Sequence, residues 1–218
     1  MNHYIDHTLL DPKATLPQIH NLCEEAIAYK FASVCINPSF VIDAHKILEQ
    51  SEVKVCTVIG FPLGATSTQA KVEETKQALE DGATEFDMVI HQGKLKEKDF
   101  EYVKNDIESV KEVIGQKILK VILETCNLTD DEIAKASQVA EEAGADYVKT
   151  STGFGSHGAT LEAIKIMKAN ISKRVKIKAS GGIRDAKTAK QYIDLGVSRI
   201  GASAGIAIVE GTSSDSTY

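Results

Sequence analysis

The stretch "KILKVILETCNLTDDEIAKASQVAEEAGADYVKT", residues 117–150, contains one complete strand–helix–strand unit. A short apolar run at 117–124 predicts a strand, and a second short run at 146–150 predicts another. The longer amphipathic segment between them predicts a helix, and Thr129 and Glu132 have the spacing of a capping box at its start. A helix joining two such strands is typical of neighbouring parallel strands in one sheet.

The same alternation continues in both directions along the chain. Predicted strands lie at 4–8, 33–37, 54–60, 85–90, 117–124, 146–150, 175–180 and 198–202. Eight strand–helix units in a little over 200 residues fit a closed barrel better than an open doubly wound sheet, which usually has fewer strands and a topological switch. We therefore predict an α/β fold, a single (β/α)8 TIM barrel over residues 1–210, followed by a flexible polar tail at 211–218.

Composition restricts the class of protein. The chain has 218 residues, 43% of them hydrophobic, and a net charge of -6 with scattered basic residues, which argues against a nucleic-acid partner. The sequence contains neither an apolar run long enough for a membrane helix nor a signal peptide, so we expect a cytoplasmic protein. Its four cysteines form no CxxC pair, which argues against a disulfide framework and a structural zinc site. The expected partner is a small molecule.

Side-chain alternation within the strands predicts which polar groups point into the barrel. In "EFDMVI", Asp87 lies on the face opposite to Phe86 and Met88. Lys149 and Lys178 lie late in adjacent predicted strands, on the polar face of each. Catalytic groups of this fold collect at the carboxyl ends of the strands, so these three side chains are expected to converge there. Lys120 is a further interior candidate.

Two lysines beside one aspartate have a chemical consequence. Two ammonium groups ~4 Å apart repel by about 4 kcal/mol at an effective dielectric of ~20, enough to lower the pKa of one lysine from ~10.4 to about 7. A neutral amine can then attack a carbonyl and form a Schiff base. The alternative is that each lysine only caps a strand end, with its stem buried and its ammonium reaching water or an aspartate.

Glycines after the last predicted strands indicate an anion site. Gly181 and Gly182 follow the seventh strand, and Gly201 and Ser203 lie at the end of the eighth. Loops at these two positions commonly hold phosphate in barrels, because small residues expose backbone amides at a helix start. Thr150 and Gly153, which follow Lys149, are further candidates for substrate binding. Glycines required only by tight turns are the alternative.

The motifs "EFDMVI", "VILET", "AGADYVKTSTGF", "KASGGIR" and "RIGAS", with "IDHTLL", "SVCINP" and "IGFPLGA", resemble the deoxyribose-phosphate aldolase family from residue 5 to about 205. The resemblance implies a class I aldolase that cleaves 2-deoxy-D-ribose 5-phosphate to D-glyceraldehyde 3-phosphate and acetaldehyde. It implies Lys149 as the Schiff-base lysine, Lys178 as the second lysine and Asp87 as the proton-relay residue. The imine replaces a metal as electron sink, so we expect no cofactor, and bacterial members of the family are often homodimers.

The resemblance also implies accessory residues. Cys35 matches a cysteine often found in the family, Tyr218 matches a terminal tyrosine that can fold over the site, and Thr8 lies in the matching "IDHTLL" segment. His91 and His157 stand where the family usually has other residues, which leaves rate and substrate preference open.

The same residues are compatible with functions besides this aldolase reaction. His7, His91 and His157 could suggest a metal, but they have no HxH or HExxH spacing, so we expect none. Three functions stay open: an imine-forming aldolase of the transaldolase type, a barrel isomerase or synthase that uses lysine and aspartate as acid and base, and a non-catalytic phosphosugar-binding barrel.

Overall fold

A computed structural model describes residues 1–213 of the chain. Its strands are β1 (Ile5–Leu9), β2 (Ser33–Ile36), β3 (Lys54–Ile59), β4 (Glu85–Val89), β5 (Ile118–Ile122), β6 (Tyr147–Lys149), β7 (Lys176–Ser180) and β8 (Arg199–Ala202). Each begins and ends within two residues of its predicted bounds. The apolar runs therefore located the strands correctly.

The strands form one closed sheet in chain order, β1 to β8, and all neighbouring pairs are parallel. Closure comes from β1, which pairs with both β2 and β8. The register sets Asp87 beside Lys120 and Lys149 beside Lys178. The predicted (β/α)8 barrel is thus confirmed.

Helices connect successive strands and cover the outside of the barrel. They are α1 (Leu16–Tyr29), α2 (Val41–Leu48), α3 (Thr68–Glu80), α4 (Gln92–Lys96), α5 (Phe100–Ile114), α6 (Asp130–Glu142), α7 (Leu161–Ala169), α8 (Ala186–Asp194) and α9 (Gly205–Glu210). Within residues 1–213, we find no helix with the length and hydrophobicity needed to cross a membrane.

The barrel wall separates two different environments. Phe86 and Met88 of β4 are fully buried and belong to the main apolar cluster, together with residues of the outer helices such as Ile107. Asp87, between them in sequence, is also fully buried but points to the opposite side, as strand alternation requires. The main apolar core therefore lies between the sheet and the helices, and the barrel interior holds polar groups beside a smaller apolar cluster of Leu10, Cys35, Cys56 and Val58.

Helix α6 begins at the predicted capping box. The Thr129 hydroxyl accepts a hydrogen bond from the Glu132 amide at 3.3 Å, and the Thr129 amide donates to the Glu132 carboxylate at 2.8 Å. These two bonds satisfy backbone groups that the first helical turn leaves unpaired.

Replacement Thr129→Ala is expected to destabilise the protein by about 1 kcal/mol, because the cap hydroxyl is lost. For a domain of this size, the melting temperature should fall by roughly 2–4 °C, measured by circular dichroism, with catalysis unchanged. Ser109→Ala is the control, because the Ser109 hydroxyl donates to the Asn105 carbonyl inside helix α5 and not to a group at a helix start. Equal melting temperatures for Thr129→Ala and the unmodified protein would refute the capping contribution.

Candidate active site

Every strand of the barrel contributes a titratable side chain to its interior. They are Asp6, Cys35, Cys56, Glu85, Asp87, Lys120, Tyr147, Lys149, Lys178 and Arg199. Strands β4 and β6 contribute two groups each, because residues i and i+2 of a strand lie on the same face. The interior is therefore an ionic cluster within an otherwise apolar fold.

Asp87 lies at the centre of this cluster. One of its oxygens, Oδ2, lies 2.7 Å from Lys149 Nζ and 2.7 Å from Lys178 Nζ. The other, Oδ1, lies 2.9 Å from Lys120 Nζ. The structure thus brings together the three residues predicted to be catalytic, with Lys120, the further interior candidate, beneath them.

The charges of the cluster follow from these contacts. Burial alone would raise the pKa of Asp87, but the ammonium groups of Lys120 and Lys178 and a hydrogen bond from Lys149 hold it well below its usual value. Burial alone would lower the pKa of Lys178, but the carboxylates of Asp6 and Asp87 raise it well above its usual value. Asp87 is therefore an anion and Lys178 a cation at neutral pH.

A second layer of ion pairs lies towards the amino ends of the strands. Asp6 Oδ2 lies 2.6 Å from Lys178 Nζ, and Asp6 also pairs with Arg199. Glu85 pairs with Arg199 Nη2 and with Lys120 Nζ, at 2.7 Å in each case. Sequence reasoning missed Asp6 and Arg199. Applying the alternation rule to the first and last strands would have indicated both.

A cavity opens above Lys149 at the carboxyl ends of the strands. Its walls come from the loops after β6, β7 and β8 and from the end of β1. The residues that line it are Thr8, Leu10, Lys149, Thr152, Gly153, Ser180, Gly181, Gly182, Ile183, Arg184, Gly201, Ala202 and Ser203. Lys149 thus shares this cavity with Thr8 and with five predicted substrate-binding residues, Gly153, Gly181, Gly182, Gly201 and Ser203. Arg184, which sequence reasoning missed, also lines the cavity.

Thr150 has a different position from the one expected for a substrate-binding residue. Its hydroxyl donates to the Ser180 carbonyl at 3.2 Å and accepts from the Ser180 amide at 3.1 Å. Both partners lie in the neighbouring strand, so Thr150 joins the end of β6 to β7 behind the cavity wall.

The loop after β7 requires glycine for two reasons. Gly181 and Gly182 have φ values of 84° and 75°, in the left-handed region that favours glycine. Gly158 approaches this loop so closely that a Cβ on it would lie 2.0 Å from the Gly181 carbonyl oxygen. The loop can therefore pack directly against the loop after β6, and its backbone forms a wall of the cavity.

Glu124 holds the loop after β6 in place, and sequence reasoning missed it. Its backbone is left-handed, with φ 57°, and its side chain is buried. The carboxylate accepts the Thr152 amide at 3.2 Å and the Thr152 hydroxyl as well. Thr152 lines the cavity beside Gly153, so Glu124 fixes the part of the wall next to Lys149.

Cys35 and Cys56 lie below the cavity, on the two sides of Asp87. Cys56 Sγ lies 3.1 Å from Asp87 Oδ1, and Cys35 Sγ lies 3.9 Å from Asp87 Oδ2. In residues 1–213, these three are the one group of side chains with spacing suited to a metal ion. The ammonium groups of Lys120 and Lys178 also contact Asp87, and their repulsion opposes the binding of a cation there.

The histidines that could suggest a metal have separate contacts. His7 Nε2 lies 2.7 Å from the Glu25 carboxylate. His91 accepts the Lys94 amide at the start of α4, and exposed His157 contacts the Gly158 carbonyl. Tyr218, the remaining accessory candidate, lies outside the described residues.

Known proteins resemble this chain over nearly its whole length. The family model described as DeoC/LacD family aldolase matches residues 1–212. A deoxyribose-phosphate aldolase of Clostridium perfringens (strain 13) is 56% identical over 98% of this chain and 96% of its own length. One from Brevibacillus brevis is 54% identical over 97% of this chain and 96% of its own length.

Solved structures agree with the sequence relatives. A structure described as a putative deoxyribose-phosphate aldolase from Coccidioides immitis is 44% identical, with a TM-score of 0.93 over 96% of this chain and 84% of that one. The deoxyribose phosphate aldolase from Aeropyrum pernix, described as tetrameric, is 32% identical, with a TM-score of 0.89 over 96% of this chain and 89% of that one. By sequence and by structure, this chain belongs to the DeoC/LacD family of aldolases.

Proposed function

We propose that the protein is a deoxyribose-phosphate aldolase, a class I enzyme that reversibly cleaves 2-deoxy-D-ribose 5-phosphate to D-glyceraldehyde 3-phosphate and acetaldehyde. The reaction belongs to the degradation of deoxyribose phosphates. One observation carries the proposal: Lys149, at the floor of a cavity walled by glycine-rich loops, lies 2.7 Å from the carboxylate that it shares with Lys178.

The first chemical step uses the neutral amine of Lys149. Its nitrogen attacks C1 of the open-chain sugar, and loss of water from the carbinolamine gives an imine. The protonated imine accepts the electron pair of the C2–C3 bond as that bond breaks, while the C3 hydroxyl loses its proton. Glyceraldehyde phosphate leaves, and the enamine of acetaldehyde stays on Lys149.

Asp87 and Lys178 act in the proton transfers. Asp87 is an anion next to the Lys149 nitrogen, so it accepts the protons released during imine formation and bond cleavage, directly or through water. Lys178 is a cation on the same carboxylate oxygen and stabilises that charge. Protonation of the enamine at C2, followed by addition of water to the imine, releases acetaldehyde and restores the amine.

The substrate phosphate binds where the loops after β7 and β8 meet. Gly181, Gly182, Gly201 and Ser203 line this side of the cavity, and Arg184 adds a positive charge. Backbone amides in such loops bind phosphate, and this anchor holds C1 at the amine.

Replacement Arg184→Ala is expected to raise KM for deoxyribose 5-phosphate by roughly tenfold, because one charge-assisted contact to an exposed phosphate is lost. The rate constant kcat should change little, since Arg184 does not contact the reacting atoms. Activity on unphosphorylated deoxyribose is the internal control, and Lys187→Ala, an exposed cation on α8 that does not line the cavity, is the matched variant. Equal losses on both sugars would contradict a phosphate contact.

The proposed function is tested by trapping the imine. The protein is incubated with deoxyribose 5-phosphate or with acetaldehyde, reduced with borohydride and mapped by mass spectrometry. The adduct is expected on Lys149, and cleavage of the sugar is expected to continue in the presence of EDTA. An unmodified Lys149, or activity abolished by the chelator, would refute the mechanism.

The assembly and the cellular location stay predictions. The homodimer that the family resemblance implies is tested by light scattering coupled to size-exclusion chromatography. The cytoplasmic location is tested by fractionation of the cells that produce the protein.

A further inference from the structure

The ionic cluster of the barrel has a simple charge count. Its carboxylates are Asp6, Glu85 and Asp87. Apart from Lys149, its cations are Lys120, Lys178 and Arg199. Three negative charges thus face three positive ones, and the cluster is neutral as a whole when Lys149 is an uncharged amine.

The cluster is continuous from one end of the barrel to the other. Arg199 is the first residue of β8 and pairs with Asp6, which lies 2.6 Å from Lys178. Lys178 shares an Asp87 oxygen with Lys149, the last residue of β6. Arg199 and Lys149 thus lie at opposite ends of one chain of ion pairs.

Burial makes the total charge of this cluster important. The carboxylates and the lysines below the cavity have 0–2% of their side-chain surface exposed, and Arg199 has 11%. An unbalanced charge in such surroundings is costly, so the group that can exchange a proton with the cavity compensates for it. Within residues 1–213, Lys149 is the one basic residue of the cluster that lines the cavity.

We propose that Arg199, at the amino end of the barrel, keeps Lys149 in its neutral and nucleophilic form by completing the charge balance of the barrel interior. Arg199 does not touch the substrate site, so it is a positioning residue that acts through Asp6 and Lys178. An arginine suits this role because its guanidinium stays charged across the working pH range. The inference rests on the proposed function, since it concerns the Schiff-base lysine.

Within residues 1–213, the remaining titratable groups that face the cluster are Tyr147, Cys35, Cys56 and the exposed Lys176, whose Nζ lies 5.7 Å from the centre of the Tyr147 ring. The Arg199 guanidinium lies 6.0 Å from the centre of the Tyr147 ring. Burial raises the pKa of Cys56 well above its usual value, so this thiol stays neutral. A hydrogen bond from Cys56 lowers the pKa of Cys35, which makes Cys35 the group that the experiment must separate from Lys149.

The test is the pH dependence of imine formation in the variant Arg199→Met, which keeps an unbranched apolar stem but removes the charge. One negative charge is then in excess, so Lys149 retains its proton to higher pH. The midpoint of borohydride trapping by acetaldehyde, and the acidic limb of kcat/KM, should move up by about one pH unit. At high pH the variant should approach the unmodified enzyme, which a merely distorted site would not do.

Charge-compensating variants separate the electrostatic role from a structural one. Glu85→Gln alone removes a negative charge and should move the midpoint to lower pH, whereas Glu85→Gln with Arg199→Met should return it towards the original value. Arg174→Met is the matched control, because Arg174 is an exposed arginine that pairs with Glu141 on the surface. Its midpoint should not move.

Several results would overturn the inference. One is a folded Arg199→Met variant whose trapping midpoint is unchanged. Another is a Glu85→Gln, Arg199→Met double variant whose midpoint stays as far shifted as that of Arg199→Met alone. A third is a midpoint shift in Arg199→Met that disappears when Cys35→Ser is added. If Arg199→Met does not fold, Glu85→Gln decides alone, and an unchanged midpoint there refutes the charge balance. Absence of any Lys149 adduct in the unmodified protein would instead refute the proposed function.

Discussion

The variant Lys149→Ala is expected to lose about four orders of magnitude or more in turnover and to form no borohydride-stable adduct. Within residues 1–213, no other lysine lines the cavity, and Arg184 on its wall cannot form a stable imine. Lys120 and Lys178 are fully buried and paired with carboxylates, so neither replaces the missing amine.

Two measurements show whether this loss is chemical. The melting temperature of Lys149→Ala should stay high enough for the protein to be folded at the assay temperature. Lys176→Ala is the matched control, since Lys176 is an exposed lysine at the start of neighbouring strand β7 and should keep full turnover. Substantial turnover by Lys149→Ala, or an adduct on another lysine, would refute the assignment of Lys149.

The second large effect is expected from Lys178→Leu. Lys178 is a buried cation between Asp6 and Asp87, and its removal leaves these carboxylates with one cation fewer. Lys149 then keeps its proton to higher pH, so the acidic limb of kcat/KM should move up by about one to three pH units. Loss of a proton-transfer partner should also lower kcat by roughly 10²–10⁴-fold.

The pH profile distinguishes these two effects. Lys176→Leu, on the same strand but exposed, should keep the original profile. A profile for Lys178→Leu that is lower at all pH values but unshifted would show that Lys178 has no influence on the charge of Lys149. That result would contradict both the repulsion between two lysines expected from the sequence and the charge balance of the interior.

The structure changes the physical reason why removal of Lys178 should raise the pH at which Lys149 loses its proton, but it does not change the direction of that effect. From the sequence, a neutral Lys149 follows from direct repulsion by a neighbouring ammonium. In the structure, an oxygen of Asp87 lies 2.7 Å from each of the two nitrogens, and Asp6 also contacts Lys178. Because these carboxylates offset much of the pair repulsion, the total charge of the cluster becomes the deciding quantity.

The placement of Thr150 and Arg184 shows where local patterns were insufficient. Both lie in motifs that the sequence analysis singled out, yet Thr150 bonds to Ser180 behind the cavity wall, whereas Arg184 lines the cavity. Neither residue type nor spacing distinguishes the two cases. Loop geometry does, and it depends on contacts such as that between Gly158 and Gly181.

The sequence by itself determined the barrel and its three central residues, because strand alternation is a local rule that depends only on the neighbouring residues. Lys149, Lys178 and Asp87 lie on strands whose inward faces can be identified in this way. Only the tertiary structure decided that Asp6 and Arg199, 193 positions apart, would form one ion pair with each other. That pair exists because closure of the barrel places β1 beside β8. The energy of a buried charge depends on its neighbours in space, and here only barrel closure brings those neighbours together.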